Sequence, residues 1–316
     1  MELEVNQIYK NFSGNEVLHG VSFKVKSGRA LGLLGRNGAG KTTTIRIIMN
    51  VFHATRGEIL LDGKPFKPAG QRIGYLPEER GLYPKRTVMD QLLFLAKLRG
   101  MKATEAKANA KKWLTRLEVW EYAARKLETL SKGNQQKVQL AATLVCDPMI
   151  VILDEPFSGL DPVNAQILKD VVSELIAENK IVIFSSHQMS YVEEFCDNIA
   201  IINHGEVVLA GDLKEIKKEY GKNRMILSAE NYSIEDLTQK IKTEFPADLS
   251  ISEAKKDFLV LELSENTTKK QLLKKLSDTD IDIEHFGRYE PSLNDIFVAT
   301  AGDEDSSKTV AEQAVS

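Results

Sequence analysis

The sequence has few cysteines, no excess of positive charge and no long apolar run. Cys146 and Cys196 are far apart in apolar surroundings, so we expect buried free thiols and neither a disulfide nor a metal cluster. The 42 basic and 45 acidic residues give a formal net charge of −3, without the strongly basic character typical of nucleic-acid-binding domains. We therefore expect no nucleic acid as a partner.

Membrane and export signals are also missing from the sequence. No apolar run reaches the roughly 18 residues that suggest a membrane-spanning helix. The first residues, Met1–Glu4, begin neither a basic stretch nor an apolar one, so we expect a cytoplasmic protein. With 316 residues, 42% hydrophobic and 28% charged, the chain is long enough for one large and one small domain.

The N-terminal part of the chain changes from strand-like to helical periodicity. Apolar and polar residues alternate in Leu3–Asn6 and Val21–Val25, which predicts an antiparallel sheet with one buried face. Ala30–Leu34 is a short continuous apolar run, and apolar residues then recur at helical spacing from Ile45 to Phe52. The pattern predicts a strand, a tight loop and a helix.

The middle of the chain predicts a helical insertion and then a parallel sheet. Residues 87–130 are rich in Leu, Ala, Lys and Glu and contain no proline, and Thr87 is the expected N-cap of the first helix. Met149–Leu153 and Ile181–Phe184 are buried-strand runs separated by a long helical stretch, which is typical of a βαβ unit. After them, Asn203–Gly205 is the predicted turn of a hairpin.

The sequence predicts two domains and a tail. We expect the first domain at 1–215, a small α+β domain at 221–302, and a disordered acidic tail at 303–316, which has too little apolar content to fold. The small domain is predicted from strand-like and helix-like runs, which are Met225–Leu227, Phe258–Leu261, Glu235–Thr243 and Thr268–Leu276.

A glycine-rich loop follows the predicted strand Ala30–Leu34. It matches the phosphate-binding pattern G-x-x-x-x-G-K-[ST] in the strand–loop–helix context that the pattern requires. Backbone N–H groups and the helix N-terminus would surround nucleotide phosphates, Lys41 would reach the β and γ phosphates, and the Thr42 hydroxyl would bind Mg²⁺. A glycine turn with an incidental lysine is the alternative. The candidate nucleotide-binding residues here are Gly35, Asn37, Gly38, Ala39, Gly40, Lys41, Thr42 and Thr43.

Two adjacent carboxylates follow the buried-strand run Met149–Leu153. Asp154 and Glu155 follow Ile150–Leu153, at the edge where parallel sheets bind their ligands. Asp154 would hold Mg²⁺ through water, and Glu155 would act on the water that attacks the γ-phosphate, as general base or by orienting it. The simpler alternative is a strand that ends in charge. Together with the glycine-rich loop, the pair predicts a phosphate-loop NTPase.

Three further segments resemble motifs of the ATP-binding cassette (ABC) family. Leu130–Gln136 resembles its signature sequence, Ser158–Pro162 its D-loop, and Ser185–His187 its switch histidine. The resemblance covers about residues 2–215. It implies an α/β P-loop cassette with a mostly parallel core sheet, an antiparallel β subdomain and a helical subdomain, followed here by the small α+β domain.

The resemblance also implies a second cassette as partner. In the family two cassettes close head to tail, so Ser131 and Gly133 would contact the γ-phosphate held by the facing phosphate loop. His187 would hydrogen-bond the γ-phosphate, although a lone histidine after a strand is more often a surface or cap residue. Asp161 would organise the facing site, although Asp-Pro is also an ordinary helix start.

Other family positions are occupied less typically. Phe12 stands where the family has an aromatic residue that stacks on adenine, with core packing as the alternative reading and Tyr9 as its rival. Glu78 replaces the usual glutamine, and a glutamate there can still bind Mg²⁺ or the attacking water. Lys132 and Asn134 replace signature residues, and Lys132 either favours ATP or faces solvent.

The variant motifs, together with the C-terminal segment Pro291–Phe297, resemble those of bacterial ATPase subunits of the ABC-2 exporter type. The hypothesis is an ATP-hydrolysing subunit with ATP and Mg²⁺ as cofactors, on the inner face of the cell membrane, powering a separate permease.

A soluble ABC ATPase acting on ribosomes or DNA is the alternative, but two cassettes, coiled coils and metal clusters are missing from the sequence. A GTPase would need Asn-Lys-x-Asp, and Asn179–Val182 lacks the aspartate. For the small domain we expect a dimerisation or regulatory role.

Overall fold

The computed structural model describes residues 1–68, 72–79 and 81–301. They divide into two compact units, the first built on Met1–Leu213 and the second on Lys214–Ala299. The predicted tail at 303–316 and residue 302 lie outside the described residues.

The described residues form helices and strands along both units. The strands are β1 (Glu2–Phe12), β2 (Asn15–Lys26), β3 (Arg29–Leu34), β4 (Arg56–Leu61), β5 (Lys64–Pro65), β6 (Ile73–Leu76), β7 (Ile150–Asp154), β8 (Ile181–Ser185), β9 (Asn198–Asn203), β10 (Glu206–Asp212), β11 (Arg224–Ala229), β12 (Leu249–Ala254), β13 (Leu259–Leu263) and β14 (Ile283–Arg288). The α-helices are α1 (Lys41–Ile48), α2 (Val88–Leu98), α3 (Ala103–Arg116), α4 (Lys132–Leu144), α5 (Pro162–Ala177), α6 (Met189–Phe195), α7 (Leu213–Tyr220), α8 (Ile234–Glu244), α9 (Lys269–Ser277) and α10 (Leu293–Ala301). Short 3₁₀ turns cover Trp120–Tyr122 and Leu127–Thr129.

A mostly parallel sheet organises the first unit. Its strand order is β10-β9-β3-β8-β7-β6, with β10 antiparallel to β9 and the other neighbours parallel. Every residue of β7 and β8 is buried, because both faces of a parallel sheet are covered, and this explains their continuous apolar runs. The predicted βαβ unit, β7-α5-β8, is therefore confirmed. The carboxyl ends of β3, β6, β7 and β8 meet at one edge, where the candidate site lies.

An antiparallel sheet, in the order β2-β1-β4-β5, accompanies the parallel one. Burial in β1 alternates, and its inward residues Leu3, Val5 and Ile8 share one apolar core with Leu33 of β3 and Ile45 of α1. The predicted antiparallel sheet is confirmed, and with it the fold class of an α/β cassette that combines parallel, antiparallel and helical parts.

Helices α2, α3 and α4 lie between β6 and β7 in the chain. Thr87 is the N-cap of α2, as predicted, since its hydroxyl accepts a hydrogen bond from the Asp90 amide at 3.2 Å. Ser131 caps α4 in the same way through the Asn134 amide at 3.3 Å. No helix in the described ranges is both long and apolar enough to cross a bilayer.

The predicted hairpin near the end of the first unit is formed by β9 and β10. Asn203 pairs with Glu206, so the turn consists of His204 and Gly205, one residue fewer than expected. Both have positive φ, 46° and 80°, as a two-residue type I′ turn requires.

The second unit contains an antiparallel sheet in the order β12-β13-β11-β14. Buried residues of β11, β12 and β13 form one apolar core with α8 and α9. The sequence indicated β11, β13, α8 and α9 but not α7, β12, β14 or α10. Strands β12 and β14 are only partly buried. The alternation in β12 is limited to Leu249–Ser252 and β14 shows none, so the strand signal is short or absent.

Candidate functional site

The glycine-rich loop joins the end of β3 to the start of α1. Gly35 and Gly40 have φ values of 154° and 114°. A Cβ at Gly35 would lie 2.4 Å from the carbonyl oxygen of Ile202, and one at Gly40 would lie 2.6 Å from Cδ2 of Leu18. Glycine at these positions therefore allows the loop to lie tightly against neighbouring structure while it turns into the helix.

Lys41 is the first residue of α1 and is only 7% exposed. Its Nζ donates hydrogen bonds to the carbonyl oxygens of Gly35 at 2.7 Å and Arg36 at 3.2 Å. Burial lowers the pKa of the Lys41 ammonium group, and the negative charges of Glu155 and Asp154 oppose that shift. The loop thus holds a desolvated cation at its centre, within electrostatic reach of both carboxylates.

Asp154 ends β7 with its carboxylate buried, at 3% exposure. Its Oδ1 accepts a short hydrogen bond from the hydroxyl of Ser185, the last residue of the neighbouring strand β8. Its Oδ2 accepts a longer one, 3.4 Å, from the Tyr75 hydroxyl of β6. Burial, followed by the charge of Asp154, raises the pKa of Tyr75 to about 12. Two hydroxyl groups therefore hold the carboxylate in one orientation.

Glu155 lies next to the switch histidine predicted from the sequence. Its amide donates to the carbonyl oxygen of Ser185 at 3.0 Å, and its φ of 49° turns the chain out of β7. Oε2 of Glu155 accepts a hydrogen bond from Ser186 at 3.3 Å and lies 2.9 Å from Nδ1 of His187. The glutamate is buried and the histidine exposed, so this pair lies between the protein interior and solvent.

These groups surround one pocket of about 580 Å³. Glu78, Asp154, Glu155 and His187 line it together with the glycine-rich loop. The residues that line it are Gly35, Arg36, Asn37, Gly38, Gly40, Lys41, Thr42, Thr43, Glu78, Asp154, Glu155 and His187. Ala39 is buried in the loop, where its amide donates to the Arg36 carbonyl oxygen at 3.1 Å. The described ranges contain no cluster of three or more His, Cys, Asp or Glu side chains suited to a metal ion.

The signature segment and the D-loop lie beside each other and do not line this pocket. Asp161 caps α5 by accepting from the amide of Asn164 at 3.0 Å, and the Asn164 side chain also donates to it. Hydrogen bonds from Asn164 lower the pKa of Asp161. A Cβ at Gly133 would lie 2.7 Å from Nδ2 of Asn164 and 3.8 Å from Oδ2 of Asp161, so the first turn of α4 lies against the first turn of α5 and the end of the D-loop. Ser131, Lys132 and Asp161 are exposed.

Phe12 lies at the end of β1 and is 38% exposed. Its ring packs edge-on against Phe52 with a centroid distance of 5.2 Å, and Lys10 Nζ lies 4.8 Å from its centroid. Tyr9, the rival residue, contacts the Arg56 guanidinium, 4.2 Å from its ring centroid. Phe12 and Tyr9 are not among the residues that line the pocket.

Sequence reasoning missed several residues that support the site. Tyr75 and Ser185 donate hydrogen bonds to Asp154. From the sequence, Ser185 and Ser186 were recognised only as part of the histidine motif. The side-chain amide of Gln136 donates to the carbonyl oxygen of Pro156, one residue after Glu155, at 3.2 Å. Neither role has a sequence signal of its own, because each depends on elements far apart in the chain.

A buried lysine in a strand–loop–helix, beside two carboxylates at the edge of a parallel sheet, defines a phosphate-loop nucleotide-binding fold. Residues 18–158 match the ABC transporter family, and residues 211–301 match the C-terminal domain of DrrA1-3-like ATP-binding proteins. The chain is 40% identical to the uncharacterised ABC transporter ATP-binding protein YhaQ of Bacillus subtilis, over 95% of this chain and 98% of that protein.

Two further comparisons agree. The chain is 35% identical to the Nod factor export ATP-binding protein I of Burkholderia lata, over 66% of this chain and 70% of that protein. A solved structure of an ATP-binding subunit of an ABC transporter covers 77% of this chain and 100% of its own, with a TM-score of 0.65 and 28% identity. The chain belongs to the ATP-binding proteins of ABC transporters, a family of ATPases, and the resemblance stated from its sequence is confirmed.

Proposed function

We propose that the chain binds Mg²⁺ and ATP in this pocket and that hydrolysis drives export through a separate membrane permease. The observation that carries this proposal is the convergence of Lys41, Asp154 and Glu155 on one pocket beside a helix N-terminus. We also propose residues 1–215 as the ATPase cassette and 221–302 as an accessory domain with a dimerisation or regulatory role. The division of the described residues after Leu213 supports that boundary.

The donors beside the loop fit Mg²⁺. The cation prefers oxygen ligands and keeps several water molecules, so it needs only one or two protein groups beside the phosphates. The Thr42 hydroxyl and the carboxylates of Asp154 and Glu78 are oxygen donors that line the pocket together. The buried Asp154 carboxylate would hold it through water, and Glu78 would bind it or the attacking water. When bound, Mg²⁺ supplies positive charge that offsets the charge of the phosphates.

The other residues bind and orient the nucleotide. Lys41 would exchange its two carbonyl partners for the β and γ phosphates, contacts worth more to a desolvated ammonium group. Asn37, Gly38, Gly40 and Thr43 would contact the phosphates from the loop. Half-exposed Phe12 would stack on adenine.

Glu155 and His187 would then act on the reaction itself. Glu155 would act on the attacking water, either as general base or by orienting it. His187, whose Nδ1 lies 2.9 Å from the Glu155 carboxylate, would hydrogen-bond the γ-phosphate. The Glu155 carboxylate is held in place by Ser186.

A second cassette would complete the site. Ser131 and Gly133 lie at the N-terminus of α4, where a phosphate anion is favoured, yet they do not line the pocket of their own chain. A facing copy or a related cassette would place them on the γ-phosphate, with Asp161 beside them. Lys132 adds positive charge to the same exposed end.

We further propose that transport is export and that the chain lies on the inner face of the membrane. The relative named for Nod factor export, together with the ABC-2 type motifs, favours export. A cytoplasmic position on the inner face of the membrane, bound to the permease, follows from that function.

Reconstitution tests this function. The chain would be expressed with the permease that co-purifies with it, and transport would be measured in vesicles with ATP inside or outside. Lys41→Ala and Glu155→Gln should each abolish transport, because one removes phosphate binding and the other removes the hydrolytic step. Wild-type transport rates with either variant would refute the proposal.

A mixing experiment tests the shared site. Lys41→Ala and Ser131→Ala variants should each bind Mg²⁺ and ATP poorly in their own dimers. A mixed dimer contains one intact site, formed by Lys41 of one chain and Ser131 of the other. Recovery of tight ATP binding on mixing is expected, whereas no recovery at any ratio would contradict a site shared between copies.

A further inference from the structure

The loop that carries Glu78 is held by a side chain of the signature helix. Gln139 lies on α4, is only 5% exposed, and its Nε2 donates to the carbonyl oxygens of Pro77 at 3.4 Å and Glu79 at 3.3 Å. These two carbonyl groups flank Glu78 in the chain. One buried amide therefore bonds to the backbone on both sides of the pocket-lining glutamate.

The same helix face also holds the strand that leads into this loop. Thr143 lies one turn after Gln139 and donates to the carbonyl oxygen of Tyr75 at 3.3 Å. A Cβ at Gly74 would lie 2.8 Å from the Thr143 carbonyl oxygen, so α4 packs directly on the backbone of β6. The segment from Gly74 to Glu79 is thus bonded to α4 along its length.

Helix α4 begins at the Ser131 cap, eight residues before Gln139, or about 12 Å along a helix. It is therefore one rigid element with the predicted γ-phosphate contact at its N-terminus and the Glu78 clamp on its side. Through the hydrogen bonds of Gln139, the backbone around Glu78 is attached to the same helix that carries Ser131 at its N-terminus.

We infer that Gln139 is a positioning residue, which holds Glu78 toward the metal and water end of the pocket and ties it to the signature helix. This inference rests on the proposed function. Amide N–H groups are required, because a carboxylate at this position would face two carbonyl oxygens without a donor. Gln139 does not line the pocket, so its effect on the site passes through Glu78.

Gln139→Met tests this role, since methionine keeps the length and apolar volume of glutamine and loses the amide. The half-saturating Mg²⁺ concentration would be measured by binding of a fluorescent, non-hydrolysable ATP analogue, which involves no turnover. We expect Gln139→Met and Glu78→Gln each to raise this concentration about fivefold. The half-saturating Mg²⁺ concentration of the double variant should be no higher than that of Glu78→Gln alone.

Gln91→Met is the matched control. Gln91 is also buried, and its Nε2 donates to two carbonyl oxygens, those of Arg86 and Thr87, each at 3.3 Å. Its Oε1 also accepts from the Tyr83 amide at 2.6 Å, so Gln91→Met should lower stability at least as much as Gln139→Met. The change that Gln91→Met causes in the half-saturating Mg²⁺ concentration should nevertheless be the same, within about twofold, whether residue 78 is Glu or Gln.

The outcomes separate the inference from the function it rests on. No effect of Gln139→Met, or effects of Gln139→Met and Glu78→Gln that multiply in the double variant, would overturn the positioning role. Equal binding of the analogue by wild type and Lys41→Ala would instead overturn the proposed ATP site itself.

Discussion

Removing the Ser185 hydroxyl tests how the buried carboxylate of the site is held. Ser185 is fully buried, and its hydroxyl donates to Oδ1 of Asp154, which is 3% exposed. A hydrogen bond to a charged group contributes about 1.5–3 kcal/mol, and a buried carboxylate oxygen that loses its donor finds little water to replace it. Ser185→Ala should therefore lower the free energy of unfolding of the first unit by about 2 kcal/mol.

Tyr75→Phe provides an internal comparison. The Tyr75 hydroxyl donates to the other oxygen, Oδ2, across 3.4 Å, a distance at which hydrogen bonds are weak. Its removal should lower the free energy of unfolding by about 1 kcal/mol or less. The structure thus predicts an order of the two effects as well as their sizes.

Urea unfolding followed by tryptophan fluorescence measures both effects selectively. The two tryptophans of the chain are Trp113 and Trp120, and both lie in the first unit. Ser190→Ala, at an exposed serine, should change the unfolding free energy by less than about 0.5 kcal/mol. An effect of Ser185→Ala no larger than that of Tyr75→Phe would refute the assigned geometry of Asp154.

Three further predictions concern catalysis, the loop and the second unit. Glu155→Gln should slow ATP hydrolysis about 10²- to 10⁴-fold in a phosphate-release assay while nucleotide binding by calorimetry is retained. Gly35→Ala should abolish nucleotide binding in the same calorimetry, because its Cβ would lie 2.4 Å from a backbone oxygen; retained affinity would contradict the tight loop. Burial alone would raise the pKa of Asp295, but hydrogen bonds from Ser292 and Lys255 outweigh it and lower that pKa to about 2. Because the folded pKa is depressed, this stabilisation is present above pH 4 and is lost as the pH falls toward 2. Asp295→Asn should therefore reduce the urea stability of the second unit, followed by circular dichroism, by about 2 kcal/mol at pH 7 and by less at pH 3. A deficit that does not shrink at pH 3 would contradict the assignment.

Segments whose residues are consecutive in the chain could be predicted from the sequence. Strands β7 and β8 can be recognised as apolar runs because both of their faces are covered. The Thr87 cap can be predicted because its hydroxyl accepts from an amide only three residues away. The fold class and the family follow from such local motifs in a fixed order.

Features that depend on packing between distant segments could not be predicted. The contact of Gln139 with the Glu78 loop joins residues about sixty positions apart, and nothing in a signature-like sequence distinguishes a clamping glutamine from a solvated one. Strand β14 was missed because its half-exposed residues follow no clear alternation. The edge-on contact between Phe12 and Phe52 likewise depends on how the end of β1 meets the segment after α1.

Binding of ATP by isothermal titration calorimetry, with and without Mg²⁺, tests the account most directly. We expect Mg²⁺-dependent binding by the full chain and an affinity at least about a hundredfold lower in Lys41→Ala, since the variant removes a buried cation that would contact two phosphates. Equal affinity of wild type and Lys41→Ala for ATP, or no binding of ATP by either, would contradict it.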